Sequence, residues 1–129
     1  MGKAQIRDEA KLYFVPFFLG SNLTSHKLSN KIYRKYKIIS YVVDTKKTAM
    51  DFLDFTNIFW SLQYTKDDSV VIPQLIYLSE QTPYTLPILI PCEKKYADLV
   101  ERNKELLEQY FVISNAQDVL NNSPLSVIQ

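Results

Sequence analysis

The most constraining feature of this chain is the texture of its apolar runs: they are short, continuous and regularly separated by stretches with helical spacing. Tyr13-Phe14-Val15-Pro16-Phe17-Phe18-Leu19 stops at Gly20, and Ile38-Ile39-Ser40-Tyr41-Val42-Val43 stops at Asp44. Phe55 to Leu62, Leu86-Pro87-Ile88-Leu89-Ile90-Pro91 and Phe111-Val112-Ile113-Ser114 complete five predicted strands. A strand with one wet face alternates apolar and polar residues, whereas a strand buried on both faces does not. Between the runs, Leu28, Ile32 and Tyr36 stand four apart, and Tyr96, Leu99, Val100, Leu106, Leu107 and Tyr110 make one stripe over a helix expected from Glu93 to Gln109. A further helix is expected after Asp67-Asp68-Ser69, with Pro73 in its first turn or marking a later start, and a short one over 115–121.

Strands alternating with helices predict an α/β fold in three layers. A mostly parallel five-stranded sheet, order 3-2-1-4-5, would carry helices on both faces. Pro16 cannot donate to a ladder, so it is expected near the start of its strand or at a bulge. Residues 45–54 read as a loop with a helical turn, and the aromatics of the third strand are expected on one face. The domain is drawn over 13–121, between a polar lead (1–12) and a tail (122–129).

Composition narrows the function. In 129 residues, 47% are hydrophobic and 22% charged, enough for one ordinary core. The formal net charge of +1 argues against nucleic acid or an anionic membrane as the main partner. Charge is nevertheless split: eleven basic and five acidic residues run through Lys66, and four basic and nine acidic follow. One cysteine and one histidine make neither an internal disulfide nor an ordinary zinc site, and point to a reducing cytoplasm. The start lacks the apolar core of a secretory signal, and Ile6 breaks a myristoylation motif. Without that signal, Asn22-Leu23-Thr24 and Asn121-Asn122-Ser123 are not expected to be glycosylated.

In the expected strand order, the winding reverses between strands 1 and 4, and open α/β sheets bind ligands in that crevice. Gly20, Ser21, Asn22, Cys92 and Glu93 would line it, with Asp44 nearby. These six are the substrate-binding candidates; no catalytic or metal-ligating residue is assigned. A single glycine falls short of the three-glycine dinucleotide turn, so Gly20-Ser21-Asn22 reads as an anion-accepting helix start or as turn geometry. Asp44 could hold a ribose hydroxyl or cap the turn after it. Cys92 and His26 invite a nucleophile-and-base reading, with a small residue packed at a strand end as the alternative. Lys27, Lys31, Arg34, Lys35 and Lys37 read as the wet back of a helix, with Tyr33 and Tyr36 on its apolar side.

Three segments carry a resemblance. They are 15–22 (VPFFLGSN), 36–43 (YKIISYVV) and, most specifically, 89–111, from Leu89-Ile90-Pro91-Cys92-Glu93 through Gln109-Tyr110-Phe111. Together they resemble the amino-terminal, pre-ATP-grasp domain of ATP-grasp carboxylate–amine ligases, of the D-aspartate ligase type that is similar to the carbamoyl phosphate synthase large subunit. The likeness runs from about Phe14 to Leu120. It implies a Rossmann-like unit that helps shape a substrate site but is not catalytic alone. ATP and magnesium would serve the full-length enzyme, not this chain. The implied partners are a missing C-terminal ATP-grasp domain, an amino acid or carboxylate substrate and, as a further option, a second copy of the chain. The chain departs from the family at Asn22, where an acidic residue is common, and at Asn30, where an arginine is common. The alternative is a stand-alone small-ligand or protein-docking module of the same fold.

Overall fold

The computed structural model describes residues 13–121; the polar lead, the tail and the Asn121-Asn122-Ser123 motif therefore fall wholly or partly outside the described residues. Strands β1 (Phe14–Leu19), β2 (Ser40–Asp44), β3 (Asn57–Ser61), β4 (Leu86–Pro91) and β5 (Val112–Ile113) form one sheet in the order β3-β2-β1-β4-β5. Every pairing is parallel. The helices are α1 (Leu23–Tyr36), α2 (Ala49–Leu53), α3 (Asp68–Ser79), α4 (Lys94–Arg102), α5 (Lys104–Leu107) and α6 (Ala116–Asn121). This is the doubly wound, Rossmann-like α/β arrangement expected from the runs.

Two apolar clusters lie on the two faces of the sheet. Phe17 and Leu19 of β1 meet Leu75 of α3, Leu99 of α4 and Leu107 of α5 on one face. Phe14 and Phe18, of opposite parity, meet Leu28 and Ile32 of α1 and Val119 of α6 on the other. Burying such a side chain contributes about 1.5–3 kcal/mol, so two filled faces explain why the strands are apolar throughout.

Four local expectations are corrected. Pro16 is the third residue of a central strand whose register with β4 is unbroken. Gly20 donates to Val43 of β2 while Leu19 accepts from Cys92 of β4, so even-numbered positions of β1 turn their N–H toward β2. Pairing with β2 begins only at Phe17, so the donor that Pro16 lacks had no ladder partner to lose. Pro73 is the sixth residue of α3, in the interior; the helix starts earlier because Asp67 caps it by accepting the Ser69 N–H. The helix expected over 93–109 is two: Asn103, at φ −120° and ψ 24°, breaks it while its side chain donates to the Leu99 carbonyl and to Asp68. The break rotates the stripe, leaving Leu106 and Tyr110 partly exposed while Leu107 is buried. In β3, Phe59 packs with one cluster and Trp60 with the other, since neighbours on a strand point to opposite faces.

Helix α2 is the exception to the packing scheme. Among the described residues, neither apolar cluster includes any of its side chains. Its one buried residue is Asp51, while Phe52 is 72% and Leu53 83% exposed.

Candidate functional site at the carboxyl rim of the sheet

All six sequence candidates meet at the carboxyl ends of β1, β2 and β4. Gly20, at φ +115°, donates its N–H to the Val43 carbonyl at 2.8 Å. A side chain there would be strained by that φ, and its Cβ would stand 2.8 Å from the Glu93 Cγ. The Ser21 N–H donates to Asp44 Oδ2 at 2.8 Å. Asn22 caps α1: its Oδ1 accepts the Ser25 N–H at 3.0 Å, and its Nδ2 donates to the Cys92 carbonyl at 2.9 Å. Asp44 also accepts from the Thr45 N–H at 2.7 Å and the Tyr96 hydroxyl at 2.8 Å. The turn-capping role of Asp44 is thus occupied, and most polar atoms of the rim are spent stitching three strands together.

The electrostatics follow from that crowding. Burial and the nearby Asp44 carboxylate raise the Glu93 carboxyl above its ordinary range, against the pull of Lys95. Burial, and then donation to Asp44, push the Tyr96 hydroxyl up. Burial, helped by the charge of Glu93, pushes the Cys92 thiol up to about 12. Cys92 packs against the α1-side cluster, with its Sγ 3.7 Å from the Ile90 carbonyl. This environment suits the small-residue reading of Cys92 and works against the nucleophile reading, because the thiolate is the reactive form. Iodoacetamide at pH 8 should alkylate the native chain more than about a hundredfold more slowly than the urea-unfolded chain; equal rates would contradict the burial.

His26, the expected partner of Cys92, is engaged elsewhere. Its Nε2 lies 3.0 Å from Asp51 Oδ1 and its Nδ1 lies 2.7 Å from Asp54 Oδ2. The Ser21 Oγ is 3.3 Å from the same Nε2, so Ser21, His26 and Asp54 have the spacing of a serine–histidine–aspartate relay. Asp51 disables it. Its carboxylate accepts a hydrogen bond from the Ser21 hydroxyl at 2.8 Å and lies 3.0 Å from Nε2 as well. The Ser21 hydroxyl is thus already held by Asp51, and the ring lies between two carboxylates. The arrangement is a polar clamp holding α2 against α1. The other oxygens are met too: the Thr48 N–H and hydroxyl donate to Asp51, and Thr56, Asn57 and Asn30 donate to Asp54. Sequence reading found Ser21 and His26 but not Asp51, Asp54, Thr56, Asn57 or Tyr96.

Burial alone would raise both aspartates, yet these hydrogen bonds and the His26 charge hold each below the ordinary 3.8. A carboxyl with a depressed folded value stabilises the fold above its unfolded value and ceases to do so as pH falls through the folded one. Urea midpoints should therefore drop as pH falls below about 4, and Asp51→Asn should flatten that drop. A wild-type profile no steeper than that of the variant would contradict the clamp.

Two clefts flank the rim, and neither includes any of the six candidates. One of about 600 Å³ lies at the ends of β4 and β5, walled by Pro91, Phe111 and Val112 with Glu101, Lys104 and Glu108 at its edge. The other, about 280 Å³, lies between α1 and α2 and is lined by His26, Asn30, Met50, Leu53, Asp54 and Phe55. Among the described residues no group of His, Cys, Asp or Glu side chains is arranged to hold a metal ion, and no helix is long and apolar enough to cross a membrane. Compared with known proteins, the sequence matches no family model and no curated protein.

Proposed function

We propose that this chain is the N-terminal, substrate-side domain of an ATP-dependent carboxylate–amine ligase of the ATP-grasp type, inert by itself. One observation supports the reading above others. The three segments that resemble that family form the adjacent strands β2, β1 and β4, and their loops meet at one rim. The rim does not suit the nucleotide: the Glu93 side chain fills the space over Gly20, where a phosphate would need to approach, and it brings a carboxylate there. On this reading ATP and magnesium are handled by a following domain, and the rim contributes a wall to the substrate site.

The purified chain mixed with ATP, magnesium and candidate amino acids should release no ADP above the blank. The coding frame past Gln129 should continue into a domain bearing nucleotide-binding lysines and acidic metal ligands. ADP release by the chain alone would overturn its inertness, and a frame without such a domain would overturn the ligase reading. The second reading, a stand-alone docking module, would call for an entirely polar surface, whereas the solvent-facing apolar side of α2 suits a domain whose neighbour packs there, and the same frame separates the two.

A further inference from the structure

We propose that the outward face of α2, with Phe55 beside it, is a docking site for an acidic amphipathic helix. The inference does not depend on the ligase reading. Helix α2 is built inside out: its aspartate faces the protein and is satisfied by Ser21, Thr48 and His26, while Phe52 and Leu53 face solvent. Phe55, 77% exposed, extends the patch, and it meets the Tyr33 ring in a T-shaped contact at 5.8 Å. Contiguous exposed apolar surface of this kind marks interaction sites. The 280 Å³ cleft makes it concave, with Met50, Leu53 and Phe55 as walls and His26 and Asp54 in its lining.

Charge selects the occupant. The exposed Lys47 stands with its Nζ 4.4 Å from the centre of the Phe52 ring, the exposed Lys46 precedes it, and the exposed Arg34 follows Asn30 of the cleft by one helical turn. The neighbouring acids, Asp51 and Asp54, are turned inward and paired. An apolar slot rimmed by cations fits a helix with leucine or phenylalanine anchors flanked by glutamate or aspartate. A second copy docked symmetrically would set these lysines against one another, and a flat lipid surface would leave the slot unfilled.

The test is fluorescence anisotropy of the full chain with a labelled peptide of about four helical turns. The peptide carries Leu and Phe at i, i+3, i+4 and i+7 and Glu on both flanks; a twin has Lys in place of each Glu. Saturable binding of the Glu peptide is expected, weakened at least about tenfold by Leu53→Ser, by the pair Lys46→Glu and Lys47→Glu, and in the Lys twin. Leu53 and both lysines are solvent-facing, so circular dichroism should show the fold of each variant intact. No saturable binding, equal binding of the twin, or indifference to Leu53→Ser would overturn the proposal. So would capture of the chain by phosphatidylserine vesicles that the Glu peptide does not reverse, or dimerisation that Leu53→Ser abolishes.

Discussion

Replacing His26 by alanine should cost about 3–5 kcal/mol of unfolding free energy, the range for stranding buried charges by removing their partner. His26 is only 5% exposed, and without it Asp51 and Asp54 keep their burial but lose the group that each shares. A domain of this size has about 5–15 kcal/mol in total, so the variant should be close to unfolding at ambient temperature. Urea titration followed by circular dichroism reads the loss directly. Adding Asp51→Asn and Asp54→Asn to His26→Ala should recover part of it, because neutral amides cost less to bury than carboxylates. A loss below about 1 kcal/mol for His26→Ala would mean that the clamp does not hold the fold.

Phe17→Ala should be comparably severe, at about 3–5 kcal/mol. Phe17 is fully buried in the central strand; it stacks on Tyr41 with centroids 4.9 Å apart and meets Phe111 edge-on at 5.7 Å. Truncation removes both ring contacts and leaves a cavity at the middle of the sheet, with close-packed neighbours on three elements. Leucine at this position should retain much of the stability because it fills more of the volume. The urea midpoint should move without a change of slope, since the same surface is exposed on unfolding. A Phe17→Ala variant within about 1 kcal/mol of wild type would show that the α3–α4 face is not packed as described.

The architecture was legible because the central strands β1 and β4 are apolar on both sides, a pattern that only a doubly covered sheet rewards. The rim was legible for a topological reason: once the order is 3-2-1-4-5, the residues after β1 and β4 must lie side by side. Pro16 misled because its cost depends on which way a missing N–H would have pointed. Pro16 points toward β2 before that pairing begins, a fact of register invisible in composition.

The clamp was missed although a signal was present. Asp51 and Asp54 are three apart, on one side of a helical turn, and Thr48-Ala49-Met50-Asp51 has the Thr-to-acid spacing of a capping box, whose reciprocal bonds form. Reading apolar residues as inward hid this, because here the carboxylates are inside and the phenylalanines outside. The single histidine drew attention to the single cysteine, while the residue that lies close to it across the turn was a serine five positions earlier.

The claim on which the account turns is that α2 is held from within by charge and faces water with its apolar side chains. Hydroxyl-radical footprinting of the folded chain measures this residue by residue. Phe52, Leu53 and Phe55 should be oxidised at rates near those of the unfolded chain, with Phe14, Phe17 and Phe18 strongly protected. Protection of Phe52, Leu53 and Phe55 equal to that of Phe17 in the monomer would contradict it.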